Sequence, residues 1–363
     1  MLRVAYDELY EGLKRAMEHL GLRGERAALS ARLFAETTRD GVYTHGLNRF
    51  PRLAAMVANG CVDVNAEPER VGGVGALERW DGHLGVGNTN AYAAMERAIA
   101  LAREYGVGAV AMANTNHWMR GGSYGWQAAD AGVFAMCWTN TLANLPAWGA
   151  KMPVLGNNPL VIAIPRMGAE ESDLDVVEEQ DFGRSTSGRG GHVVLDMAMS
   201  QFSYGALESY AARGELLPVP GGYDAAGELT RDAGAIVATG RALPVGYWKG
   251  SGLSMVLDML AAMLSGGRAT HEIPRESTRE SGVCQVFLAI DPVGAGGAGV
   301  AAREELERIA DGVVGSLTVA EPIEAGRRVR YPGEETLRVR AENMRLGVPV
   351  DAELWGKVKG LTF

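Results

Sequence analysis

Leu9, Leu13, Met17 and Leu20 recur at three- and four-residue intervals across residues 6–20, and the run stops at Gly21. Residues 25–38 repeat the pattern with Leu29, Leu33 and Phe34 before Gly41, and a shorter stretch at 51–58 ends at Asn59-Gly60. Such spacing gathers apolar side chains on one helix face, and a glycine past the last of them is a stop signal. The chain is therefore expected to open with packed helices. From residue 76 the period changes. Short apolar runs at 76–80, 109–113, 133–139, 156–165, 192–196 and 285–290 read as strands, while 90–105, 125–131, 199–213 and 252–264 keep helical spacing. Strands alternating with helices predict an α/β core behind the helical unit.

One segment breaks this texture. Glu170, Glu171, Asp173, Asp175, Glu178, Glu179 and Asp181 crowd together ahead of FGRSTSGRGG. Such a composition buries little apolar surface, so residues 168–191 are expected to form a solvated acidic insertion between two strands.

Composition adds exclusions. The 363 residues are 47% hydrophobic and carry a formal net charge of -9, with the basic residues scattered, which disfavours nucleic acid and anionic membrane surfaces as partners. No apolar run approaches the roughly 18 residues of a membrane span, and the amphipathic start lacks a signal-peptide core, so the expected location is the cytoplasm. Cys61, Cys137 and Cys284 lie far apart without a CxxC pair and read as reduced thiols. No HExxH or Cys cluster suggests a metal.

Three polar constellations carry candidate chemistry. In GVYTHGLNRF, residues 41–50, His45 follows a helix end and precedes a flexible glycine, with Asn48 and Arg49 close by. A loop histidine can move a proton near neutral pH, and an arginine can hold a carboxylate bidentately. The plainer alternative is that His45 caps the helix and Arg49 makes a surface pair. NTNHWMRGGSYGW, residues 114–126, sets Asn116, His117, Arg120 and Ser123 at the end of a predicted strand, where α/β ligand crevices lie. Trp118, Tyr124 and Trp126 read as packing groups, and His117 as either a site residue or a satisfied core histidine. In LPVGYWKGSGLSMVLDML, residues 243–260, Lys249 precedes a helix whose N-terminus suits an anion, or else it simply faces water. His19, His83 and His271 have no such company.

A fourth stretch, DPVGAGGAGVAAREELERIA at 291–310, spaces Gly294, Gly296 and Gly299 like a dinucleotide-binding turn, with Glu321 about where an acidic ribose partner would stand. Asp291-Pro292 separates it from the strand, and too little chain follows for a mononucleotide-binding half. It is expected to be a surface link. A classical Rossmann oxidoreductase, which would need it, and a non-catalytic nucleotide or sugar-acid binding protein are the competing readings.

Taken together, YTHGLNRF, NHWMRGGSYGWQAA, CWTN, PAWGAK, GNNPLVIAIP, VVLDMAMSQFSYG and LPVGYWKGSGLSMVLDML, in this order, resemble the malate/L-lactate dehydrogenase family, which is distinct from the Rossmann enzymes of similar name. The likeness covers nearly the whole chain. It implies a non-Rossmann nicotinamide-binding α/β core over 71–335, and a helical domain of residues 1–70 joined by the C-terminal segment 336–363. It also implies NAD(P)H-dependent reduction of a small keto acid, with NADH the expected cofactor, in a homodimer. The family's proton-donating histidine falls on His45. Its cofactor-contacting segments fall on His192, Val193, Val194, Leu195, Asp196, Met197 and Ala198, on Trp248 and Lys249, and on Gly333, Glu334 and Glu335. Arg49, His117 and Arg120 are the candidates for orienting a substrate carboxylate and hydroxyls. Thr44 stands where serine is common, GNNP replaces GTNP, and Glu334 occupies a place where a histidine is usual. A simple 2-hydroxyacid dehydrogenase and a cyclic imine reductase stay open as alternatives.

Overall fold

A computed structural model describes residues 2–166, 191–294, 299–324 and 326–362. The acidic insertion lies outside the described residues except for Gly191, as do residues 295–298 of the glycine run. After a short strand β1 (Leu2–Val4) come the predicted helices α1 (Tyr6–His19), α2 (Gly24–Arg39) and α3 (Phe50–Ala58). Leu9, Leu13 and Met17 of α1 pack fully buried against Ala27, Ala31 and Phe34 of α2, as their spacing requires.

The core continues through β2 (Glu69–Val74), β3 (Leu77–Asp81), α4 (Gly87–Tyr105), β4 (Val107–Asn116), α5 (Gly122–Asp130) and β5 (Phe134–Thr139). A hairpin of β6 (Ala143–Pro146) and β7 (Pro153–Gly156) precedes β8 (Leu160–Ile164) and β9 (Val193–Met197). Next come α6 (Tyr204–Arg213), the small pair β10 (Gly222–Tyr223) and β11 (Leu229–Thr230), then α7 (Ala233–Thr239) and α8 (Trp248–Ser265). The long strand β12 (Ser281–Ile290) and α9 (Gly299–Thr318) complete it.

Seven strands form one sheet in the order β2-β3-β4-β12-β5-β8-β9, and only β3 and β4 run parallel. Alternate residues of each strand face opposite layers. Val110, Met112, Phe287, Cys137 and Val161 pack under α4 and α5, whereas Ala111, Cys284, Trp138 and Leu160 pack on the side of α6, α7 and α8. A Rossmann half needs parallel strands around its glycine turn. β12 is antiparallel to both of its neighbours, and Asp291 Oδ1 accepts the N–H groups of Val293 and Gly294 at 3.0 and 2.9 Å. Those amides serve a local turn.

The structure shifts several boundaries. The helix expected over 199–213 begins only at Tyr204, because Gln201 donates to the Leu243 carbonyl and Val245 to the Met199 carbonyl, holding 199–203 extended. α8 starts at Trp248, ahead of the apolar pattern, after Tyr247 takes a left-handed φ of 60°. The chain returns to its start through α10 (Glu334–Leu346), β13 (Val348–Val350) and α11 (Ala352–Gly360), with β13 antiparallel to β1. Trp355 of α11 lies against α1 where a Cβ on Gly12 would come within 2.3 Å of the ring. Among the described residues no helix is long and apolar enough to cross a membrane, and no cluster of His, Cys, Asp and Glu suits a metal. All three cysteines are free thiols.

Asp40, at the end of α2, joins the helical unit, the core and the returning segment. Its carboxylate accepts from Arg39 Nε at 2.8 Å, Arg120 Nη1 at 2.7 Å, and Arg340 Nε and Nη2 at 2.9 Å each. Burial pushes this carboxyl up, but Arg120, Arg340 and Arg39 outweigh burial and hold it well below the usual carboxylate range. Removing one member of a buried pair costs about 3–5 kcal/mol, and Asp40→Asn is expected to lose that much in urea unfolding at pH 7. A depressed folded pKa stabilises above the unfolded value of roughly 4 and loses its effect as pH falls toward the folded value. The deficit of Asp40→Asn should therefore shrink in acid; a deficit independent of pH down to 3 would refute the assignment.

Candidate active site

Residues 42–46 form a tight turn after α2. His45 donates its N–H to the Val42 carbonyl at 3.0 Å, and Thr38 Oγ1 accepts from the Leu47 N–H at 2.9 Å. Gly46 is needed there, since a Cβ would sit 2.3 Å from Thr38 Oγ1. The turn presents the His45 ring with Nδ1 at 2.9 Å from Thr44 Oγ1. Facing it is the residue that follows β4. His117 is fixed from below by the buried Trp118 and Tyr124, whose hydroxyl donates to the Trp118 carbonyl at 2.5 Å. Met119 adopts a left-handed φ of 65°, an uncommon conformation for a non-glycine residue, and turns its N–H onto His117 Nδ1 at 3.0 Å.

The two imidazoles stack with centroids 5.9 Å apart and planes 20° from parallel. Arg49 Nη2 lies 3.1 Å from His117 Nε2. Both His117 nitrogens thus face N–H donors, yet a neutral ring accepts at only one. An oxygen arriving between Arg49 and His117 resolves this conflict by accepting from both. Burial, followed by the charges of Arg49, Arg120 and Arg52, pulls the His45 imidazole from 6.5 down to about 4. Burial, Arg49, His45 and Arg52 hold His117 well below its ordinary value too. The site therefore carries its positive charge on arginines and keeps both rings neutral.

Those arginines differ in what they already hold. Arg52 donates to Glu280 at 2.6 Å, and Glu280 also accepts the Leu142 N–H at 3.0 Å. Arg120 is 5% exposed and its Nη1 is bound to Asp40. The expectation that Arg120 orients substrate is narrowed accordingly: it anchors the loop and adds charge, while its Nε has no hydrogen-bond partner. Arg49 has no carboxylate within ion-pair distance among the described residues. Burial and Arg52 lower its pKa to about 10, partly offset by Glu280 and Glu208, and it stays charged.

The expected cofactor segments meet along β9, the last strand of the sheet. The Val194 N–H donates to the Pro332 carbonyl at 3.0 Å, which lays 332–335 beside the first half of the strand. Val245 donates to the Met199 carbonyl at 2.8 Å, bringing the 243–249 loop alongside its far end. Alternate residues turn their N–H and C=O groups to the same edge, so Asp196 presents its backbone on the outer edge of β9, as Val194 does. Gly333, with φ 100°, passes so close that a Cβ would lie 3.1 Å from the His192 carbonyl oxygen and 3.2 Å from the Val194 nitrogen. Asp196 Oδ2 accepts the Gly122 N–H at 2.8 Å at the start of α5. The residue is exposed, and the protein packed around its carboxyl pushes it up against the pull of Arg120 and Gly122.

Other expected residues are placed less directly. Glu334 turns inward, accepting from Arg328 at 2.6 Å and from the Tyr331 N–H at 3.3 Å, so its carboxylate closes its own turn. Glu335 accepts from Arg330 and Arg338. The His192 ring accepts from the Arg166 N–H and lies 3.1 Å from Asp130. Trp248 is 66% exposed and Lys249 is exposed at the start of α8. Asp40, Glu280 and Glu208 were not legible as site residues. Each acts on an arginine distant in sequence, and only an acidic residue closing an apolar helix face hinted at Asp40.

A family model described as malate/L-lactate dehydrogenase matches residues 4–177 and 182–359. A "2,3-diketo-L-gulonate reductase" of Citrobacter koseri is 43% identical over 360 residues, covering 99% of this chain and all of that protein. Among solved structures, a sulfolactate dehydrogenase from Methanocaldococcus jannaschii superposes with a TM-score of 0.84 at 25% identity, over 99% of this chain and 96% of that one. A delta1-piperideine-2-carboxylate reductase from Pseudomonas syringae reaches 0.82 at 28%, over 99% and 100%. The protein is an oxidoreductase acting on CH–OH groups. The chain belongs to the malate/L-lactate dehydrogenase family.

The electrostatics of the site give a direct expectation. In the ligand-free protein the ¹⁵N imidazole shifts of His45 should titrate with a midpoint near 4. Saturating oxamate, by pairing Arg49 with a carboxylate, should raise that midpoint. A midpoint of about 6.5, the unperturbed histidine value, in the free protein would overturn this picture.

Proposed function

We propose that the protein reduces the C2 carbonyl of 2,3-diketo-L-gulonate to 3-dehydro-L-gulonate, with NADH preferred to NADPH and His45 as proton donor. The observation that carries this is the neutral His45–His117 stack beside Arg49, which has no carboxylate within ion-pair distance among the described residues. Full-length likeness to a 2,3-diketo-L-gulonate reductase supports the substrate.

The residues beside β9 suit an extended dinucleotide. The outer strand edge offers backbone groups, Gly333 clears the approach, and Trp248 and Lys249 stand exposed at the end of the track. When bound, the nicotinamide supplies the hydride. Arg49 holds the substrate carboxylate, and His117, with Nδ1 already accepting from Met119, directs an Nε2 proton at a substrate oxygen. The carboxylate offsets the field of Arg49, so His45 becomes protonated as substrate binds, and its Nε2 gives the proton to the forming alkoxide. Thr44 Oγ1 fixes the ring by its contact with Nδ1. The Asp40 and Glu280 carboxylates keep Arg120 and Arg52 from competing for the substrate.

The assembly proposed is a homodimer closed through α8. Met255, Val256, Met259, Leu260 and Met263 are all at least 41% exposed, at helical spacing along one side. A contiguous exposed apolar face of this kind marks an interaction site.

Spectrophotometric screening of NADH and NADPH oxidation over a panel of 2-oxo acids tests class, cofactor and substrate together. A preference for pyruvate or oxaloacetate over 2,3-diketo-L-gulonate would replace this substrate with a simple 2-hydroxyacid. General acid catalysis is worth on the order of 10²- to 10⁴-fold, so His45→Ala should lose that much turnover while still binding NADH. Unchanged turnover in the folded variant would remove His45 from the mechanism. Met259→Glu combined with Met263→Glu should convert a dimer to a monomer in light scattering; a dimer mass retained by the double variant would exclude α8 as the interface.

A further inference from the structure

The pocket's charges, counted one by one, say more about the substrate than the resemblance does. Three guanidiniums act on His45, and two are tied to carboxylates, Arg52 to Glu280 at 2.6 Å and Arg120 to Asp40 at 2.7 Å. Arg49 alone has no carboxylate within ion-pair distance among the described residues. One substrate carboxylate thus has an arginine waiting for it, and a second would have none without breaking an existing pair.

Helix α6 sits over the catalytic turn. Ser203 caps it by accepting the Ala206 N–H at 3.2 Å, and the Tyr204 hydroxyl donates to the Asn144 carbonyl at 2.7 Å. Gly205 lies against Thr44, the neighbour of His45, so closely that a Cβ would come within 2.3 Å of Thr44 Cγ2. Residues three apart share a helix face. Glu208 therefore stands one turn along the face that Gly205 lays on the turn, and Arg49 feels its charge. Glu208 is exposed, and none of the hydrogen bonds or ion pairs among the described residues uses its carboxylate.

We propose that Glu208 is a specificity-determining residue that admits 2-oxo acids with one carboxylate and a hydroxylated tail and rejects those with a second carboxylate. This rests on the reductase reading above. A carboxylate accepts hydrogen bonds from hydroxyls. Facing a second carboxylate, the exposed Glu208 repels it through partly screening solvent. Selectivity of this kind comes as much from the repulsive element as from the attractive one.

The test uses the full-length protein with Glu208→Gln, which keeps the shape and removes the charge. Glu304→Gln on α9 serves as a control for net charge. The readout is kcat/KM for oxaloacetate divided by that for pyruvate, alongside the Kd of tartronate, a dianion, divided by that of oxamate, a monoanion. Glu208→Gln should raise the turnover ratio and lower the Kd ratio by about tenfold, the size of one partly screened charge contact, while Glu304→Gln moves neither. Ratios unchanged in Glu208→Gln, or changed equally in Glu304→Gln, overturn the proposal. If no 2-oxo acid is turned over but tartronate binding still improves selectively in Glu208→Gln, the reductase reading falls and the role of Glu208 stands.

Discussion

The buried Asp40 carboxylate is the constraint on which the rest of the molecule depends. It sits at the end of α2, where the helix must stop at Gly41 and the His45 turn must begin, and it binds its neighbour Arg39 and two arginines from distant parts of the chain. Arg120 comes from the loop that carries His117, and Arg340 from the helix that follows the Gly333 segment. One anion thereby sets the helical unit, the His117 loop and the cofactor-side segment in register. Three cations around one carboxylate leave a positive field, and that field reaches His45 through Arg120.

Burial, then the charges of Arg49, Arg120 and Arg52, accounts for a neutral His45, and burial with Arg49 accounts for a neutral His117. A buried imidazole surrounded by guanidiniums resists protonation, so a proton donor there needs its substrate's own negative charge to become charged. At His117 the two nitrogens meet different donors, the Met119 backbone N–H and the Arg49 guanidinium. The site is rich in hydrogen-bond donors and in positive charge.

β12 is antiparallel to both neighbours, so the glycine run after it has no parallel strand behind it. β9 borders the sheet, and single backbone hydrogen bonds bring two other segments beside it and just past its end, Val194 to Pro332 and Val245 to Met199. Gly333 is the residue that makes this approach possible, through its positive φ and its missing side chain.

Periodicity alone determined the opening helices, the alternation of strands and helices, and the apolar residues that face each layer, because helix and strand geometry act over a few residues. Local composition also singled out His45, Arg49 and His117, and the motifs around them carried the family likeness. Sequence did not show that the helix before α7 starts only at Tyr204, that Arg120 belongs to Asp40, or that Glu334 closes its own turn. Those depend on partners tens to hundreds of residues away, among them the Leu243 carbonyl and the Asp40 carboxylate. That Arg52 and Arg120 are held by carboxylates while Arg49, among the described residues, has none within ion-pair distance is decided only when the folded chain brings Glu280 and Asp40 to the site.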